Sequence, residues 1–142
     1  MTQVFFYHNA ASRIVTAAAL LGKACHQGRA VLVYAPDEAL AEALDRQLWV
    51  APPTGFIPHV FAESPLAAET PIVITADTAV TEQNERLLNL SEEVPPAFSR
   101  FASVIEVVGR QEDERQSARA RVKFYKDRGY AIQYFDLAEK SS

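Results

Sequence analysis

A single cysteine, Cys25, is all the thiol chemistry this chain carries. No internal disulfide is possible, and no zinc site built on paired cysteines can be assembled. The scarcity suits a reducing compartment, so a cytoplasmic location is expected. An excess of positive charge is missing as well: 14 Lys and Arg residues stand against 18 Asp and Glu, a formal net charge of −4. Wrapping nucleic-acid backbone needs many uncompensated cations, so contact with DNA is expected to run through another protein. Long apolar runs are also lacking. The opening MTQVFFYHNAAS has neither the basic start nor the apolar stretch of a signal peptide, and the apolar helical stretch around Ala17 to Leu21 is far too short to span a bilayer.

What is present is a chain of 142 residues, 49% of them hydrophobic, enough for one compact domain with a buried core. Residues 1–137 are expected to form that domain and 138–142 a flexible C-terminal tail. Val4 to Tyr7 is an apolar run of strand length, ended by the polar turn His8-Asn9. Ser12 or Asn9 then caps a helix in which Ile14, Ala18, Leu21 and Cys25 recur at helical spacing, closed by Gln27-Gly28. AVLVYA (Ala30 to Ala35) reads as a buried, parallel-type strand, and Pro36-Asp37 opens a second helix running to about Trp49. From Val50 to Leu66 the prolines and scattered aromatics give no period, which predicts a long ordered loop with at most a short strand.

Strand patterns return at Pro71 to Ala76, Arg86 to Leu90, Ser103 to Val108 and Tyr130 to Phe135, with a helical turn at Pro95 to Arg100. A helix over about Asp113 to Arg128 stops at Gly129. Strands alternating with helices predict an α/β sandwich around a largely parallel sheet.

Such a domain invites a nucleotide-binding reading, and the first strand-to-helix turn tests it. There, glycines must let backbone amides approach phosphate. The turn here is His8-Asn9-Ala10-Ala11-Ser12, without glycine, and Gly22-Lys23-Ala24 lacks the upstream glycine and the Ser/Thr of a P-loop. This disfavours the competing reading, a nucleotide- or nucleic-acid-binding α/β domain such as a degenerate ATPase. His8, His26 and His59 are not at metal-ligand spacing, Cys25 falls on the apolar face of the first helix, and no nucleophile elbow occurs. No catalytic residue, metal site or cofactor is expected. Glu106, inside SVIEVV, is left open between a solvated and a helix-covered face.

Two stretches stand out. Leu48-Trp49, Pro52-Pro53 and Phe56-Ile57-Pro58-His59 bring the only tryptophan together with rigid prolines. Trp49 either packs into the core or belongs to a preorganised docking surface. In the last helix Arg115, Arg119, Lys123 and Lys126 fall within ~80° of arc beside Ala118, Val122 and Tyr125. The helix macrodipole accounts for Glu112, Asp113 and Glu114 at its start and for Lys126 and Arg128 at its end, but not for Arg115 and Arg119. A basic stripe bordered by Val122 suits an acidic peptide with an apolar terminus; a merely solvated face is the alternative.

At these residues the chain resembles a known family. Asp45-x-x-Leu48-Trp49-x-x-Pro52-x-x-x-Phe56-x-Pro58-His59 is similar to the most distinctive stretch of the chi subunit of the bacterial DNA polymerase III holoenzyme. So are Phe5-Phe6-Tyr7, Gly28-Arg29, Ile105 to Val108, and Ala118-Arg119-x-Arg121-x-Lys123 followed by Gly129. The resemblance implies a Rossmann-like sandwich with helices on both faces and no nucleotide site. It implies a non-catalytic adapter that binds the psi subunit of the clamp loader and the acidic C-terminal tail of single-stranded DNA-binding protein. In some bacteria an accessory damage-response helicase shares the psi surface, and a chain serving only that helicase is a third reading. Carried over by position, Trp49, Pro52, Phe56, Pro58 and His59 match the psi- or helicase-facing patch, and Arg115, Arg119, Val122 and Lys123 the tail-binding one. Val122 stands where an aromatic is expected, and Arg115 where a lysine is. Residues 63–81 match poorly, and nothing is carried over there.

Overall fold

Strands and helices alternate through the chain in the order β1 (Gln3–Ala10), α1 (Arg13–His26), β2 (Val31–Tyr34), α2 (Glu38–Val50), β3 (His59–Phe61), β4 (Ile72–Thr75), β5 (Arg86–Asn89), β6 (Ser103–Gly109), α3 (Glu112–Asp127) and β7 (Ile132–Asp136). Single 3₁₀ turns lie at Ala67–Glu69 and Phe98–Arg100. The computed structural model describes residues 2–50, 57–78 and 83–138. The tail expected at 138–142 therefore lies outside the described residues except for Ala138.

The seven strands form one sheet in the order β3-β4-β2-β5-β6-β1-β7, and every described pairing is parallel. Parallel strands must be joined by crossovers, and the helices supplying them cover the faces. Alternation sorts the side chains. Val31, Val33, Ile72, Ile74 and Leu88 meet Ala17, Ala18, Leu21, Leu44 and Leu48 of α1 and α2 on one face. Val4, Phe6 and Val108 meet Ala118 and Tyr125 of α3 on the other. Leu32, Tyr34, Val73, Leu87 and Val104 on that second face are covered by Phe101 and by partly buried Phe98 and Ala67. The result is the Rossmann-like sandwich with helices on both faces.

Local chemistry sets the ends of the elements. Ser12 Oγ accepts from Val15 N at 3.2 Å, so Ser12, not Asn9, caps α1. Asp37 Oδ1 accepts from Ala39 N at 2.9 Å, as an N-terminal cap does for α2. Past α3, Gly129 takes φ +83°, and Gly129 N and Tyr130 N donate to the carbonyls of Lys126 and Tyr125, each at 3.0 Å. Gly22 sits inside α1, where a Cβ would stand 3.2 Å from Ile57 Cδ1, so its missing side chain admits Ile57 to the core. Among its described residues, the proline-rich crossing contains one short strand, β3, parallel to β4.

The glycine-free first turn is tied to β7 and to Arg110 by hydrogen bonds at Asn9. Asn9 adopts φ 61°, a conformation that asparagine tolerates, and its Nδ2 donates to Asp136 Oδ1 at 2.8 Å. Arg110 Nε donates to the Asn9 carbonyl at 3.1 Å.

Candidate functional site

α3 has its underside fixed before its outer face is considered. Glu106 of β6 is completely buried, and three side chains bond its carboxylate. Its Oε1 accepts from Arg121 Nε at 3.1 Å, its Oε2 from Tyr125 Oη at 2.8 Å, and Asn89 Nδ2 reaches both oxygens at 3.1 and 3.0 Å. Arg13 completes the cluster, donating from Nε and Nη2 to the carbonyls of Val107 and Ser91 at 2.8 Å each and pairing with Glu92 at 3.1 Å. Burial pushes the Glu106 carboxyl above its ordinary range, while Arg121, the Asn89 amide and the Tyr125 hydroxyl pull it back. Burial likewise lowers the Arg13 guanidinium. Among the described residues no buried side-chain nitrogen or oxygen lacks a partner, so the network is satisfied throughout. Glu106 thus lies on the helix-covered face.

This seat turns the opposite side of α3 outward. Arg115, Arg119 and Lys123 line a groove of about 490 Å³ together with Ala118, Val122 and Lys126. Its other wall comes from the sheet: Phe6 and His8 of β1 and Tyr134 of β7. Tyr134 is 49% exposed, and its ring centroid lies 6.2 Å from that of Phe6 and 6.4 Å from that of His8. All four residues singled out on this helix come together, and Val122 is half-buried beside the apolar floor. Two of the three cations are engaged: Arg119 Nη1 lies 3.2 Å from Glu112 Oε1, and Lys123 Nζ 2.9 Å from Asp127 Oδ2. Both pairs are exposed and so weak, of the order of a few tenths of a kcal/mol. The Arg115 guanidinium makes no ion pair among the described residues.

Sequence reasoning missed Phe6, His8 and Tyr134. Alternation in β1 places Phe6 and His8 on the face of Val4, but nothing local shows that β7 pairs with β1 and brings Tyr134 beside them. Arg121 falls on another side of the helix from the basic stripe, and it is buried. Its helical phase, about 40° beyond Tyr125 on the side away from the basic stripe, is the available signal.

Part of the second stretch falls within the described residues. Pro52 and Phe56 lie outside the described residues. Trp49 is 59% exposed at the end of α2, with Val50 beside it exposed as well, so it does not pack into the core. Its ring meets that of His59 edge-on at 5.1 Å. His59 itself is buried: Nε2 lies 3.0 Å from Asp45 Oδ1, and Nδ1 lies 2.7 Å from the Ile57 carbonyl. Pro58 is half-buried between Ile57 and His59. The Asp45…Leu48-Trp49…His59 spacing therefore has a structural cause. Leu48 enters the core, Asp45 orients His59, and His59 supports one edge of an exposed indole. Because α2 and α3 lie on opposite faces of the sheet, the two surfaces are separated by the sheet.

Among the described residues no cluster of His, Cys, Asp and Glu could hold a metal ion. No helix there is long and apolar enough to cross a membrane. The family model described as DNA polymerase III chi subunit, HolC, matches residues 1–133. A DNA polymerase III subunit chi from Pseudomonas aeruginosa is 34% identical over 137 residues, covering 94% of this chain and 95% of that one. Proteins of the same name from Haemophilus influenzae and Escherichia coli K12 are each 28% identical over 106 residues. That span is 74% of this chain in both cases, and 74% and 72% of theirs.

Proposed function

The chain belongs to the DNA polymerase III chi subunit family, and from that membership we propose that it is a non-catalytic accessory subunit of bacterial DNA replication. It acts as an adapter within the clamp-loader complex. Its α3 groove takes the acidic C-terminal tail of single-stranded DNA-binding protein. The Trp49 surface on the other side of the sheet takes the psi subunit, a psi-like partner, or a damage-response helicase. These partners link it to the replicating template.

The observation that carries the reading is the α3 groove. It sets three cations one turn apart along an apolar floor of Val122 and Phe6 and opposite the Tyr134 ring. Successive carboxylates can meet the cations while a terminal apolar side chain leaves water. Tyr134 offers an aromatic wall from the sheet where the helix carries Val122. A short synthetic acidic peptide ending in phenylalanine with a free carboxylate should bind saturably, and amidating that carboxylate should weaken it. Failure of the free-acid peptide to bind at low salt would remove the assignment.

A further inference from the structure

A second groove lies on the sheet's other face, beside α1. β1 alternates, so Phe5 and Tyr7 point away from α3 toward the α1 side, while Val4 and Phe6 face α3. Phe135 of β7 is in register with Tyr7 and joins it there. α1 packs against β6, and β7 ends the sheet, so these three rings remain only partly covered. Tyr7 and Phe135 stack nearly parallel, with centroids 4.6 Å apart and planes at 15°, and Phe5 lies 6.4 Å from Phe135. The groove they floor has a volume of about 480 Å³ and is rimmed by Lys23, Arg29 and Arg86. No carboxylate lines it. Glu85 pairs with Arg86 from outside at 3.7 Å, while Lys23 and Arg29 are exposed and make no ion pair among the described residues.

We propose that this groove holds a short stretch of single-stranded nucleic acid, about two or three nucleotides, with bases on the Phe5, Tyr7 and Phe135 rings and phosphates on Lys23, Arg29 and Arg86. Flat aromatic faces inside a cationic rim match a polymer that alternates flat bases with phosphates. An acidic peptide matches the rim but carries no succession of flat faces for three rings. A duplex keeps its bases stacked inward, out of reach of rings set in a concave sheet face. The net charge of −4 confines the contact to this local rim and keeps it short. The groove shares no lining residue with the α3 groove, so the two readings stand or fall separately.

The test is fluorescence anisotropy of a short labelled oligothymidylate titrated with the intact chain at low salt. Binding is expected to weaken about 20-fold between roughly 50 and 200 mM salt, the slope for about three released counterions on a single strand. The double variant Lys23→Glu/Arg29→Glu, exposed at both positions and checked for an unchanged melt, should lose about tenfold or more. Tyr7→Leu keeps the apolar volume but not the ring, and should weaken the oligonucleotide severalfold. Arg115→Glu, in the other groove, should leave the oligonucleotide alone. Four results overturn the proposal: no binding at near-millimolar protein, wild-type binding by the double variant, equal binding of duplex, or equal competition by an acidic peptide of the same charge.

Discussion

Arg121 Nε lies 3.1 Å from Glu106 Oε1, with both side chains out of solvent. The pair joins the middle of α3 to β6, and Tyr125 adds a second bond one turn later on the same carboxylate. Removing one partner of such a pair leaves an uncompensated buried charge, which typically costs about 3–5 kcal/mol. Arg121→Ala should therefore lower the urea-unfolding free energy by about that much. Replacing both charges by side chains of similar volume, Glu106→Gln with Arg121→Met, should recover most of the loss. If Arg121→Ala unfolds at the wild-type urea concentration, the pair does not hold α3.

How far the sequence discloses this arrangement depends on distance along the chain. Ser12 as a cap, Gly129 as a stop, the strand runs and the stripe of Arg115, Arg119 and Lys123 are local signals, and all are legible. Glu106 was not: alternation assigns it a face, but what covers that face comes from α3 and from Asn89 on β5, 17 residues away. Tyr134 reaches the α3 groove only because β7 pairs with β1, at the far end of the chain. The motif carries His59 together with Trp49. The structure buries it and leaves Trp49 exposed, a division that residue types alone do not make.

Tyr34 supplies a pH test. Burial and the 2.6 Å bond its hydroxyl donates to Glu93 raise its pKa from 10.0 to about 12. The folded chain holds this proton more tightly than the unfolded one, so the contribution to stability is complete below pH 10.0 and is lost as pH rises through about 12. Stability measured by urea unfolding should fall over that window, and Tyr34→Phe should flatten the fall. An identical slope in the variant would show that Tyr34 ionises as easily folded as unfolded.

Trp49 separates a docking role from a packing role. At 59% exposure its loss should change stability by less than about 1 kcal/mol, as at most surface positions. Together with Phe56→Ala, Trp49→Ala should nevertheless abolish co-purification with a psi-like partner or helicase, because aromatic anchors in interfaces typically contribute about 2–4 kcal/mol each. A folded double variant that still co-purifies would move that interface elsewhere.

The cations of α3 should not contribute equally to tail binding. Arg119 and Lys123 must first give up Glu112 and Asp127, whereas Arg115 has no competing ion pair among the described residues. Charge-assisted hydrogen bonds contribute roughly 1.5–3 kcal/mol when partly shielded, and each exposed pair surrendered subtracts about 0.3–0.5 kcal/mol. Peptide affinity, measured by calorimetry, should thus fall about tenfold or more in Arg119→Ala and Lys123→Ala, and at least as far in Arg115→Ala. Raising the salt should weaken the wild type throughout. Arg128, whose guanidinium sits 4.3 Å above the Phe124 ring, does not line the groove, so Arg128→Ala should change little. Arg121→Ala cannot serve as a second control, because its effect on the fold precedes any effect on the ligand. The sharper check runs in the other direction. Glu112→Gln and Asp127→Asn free Arg119 and Lys123 without touching either, and each should tighten the peptide by about twofold. Weaker binding in both would mean that these carboxylates hold their cations in position for the ligand and do not compete with it.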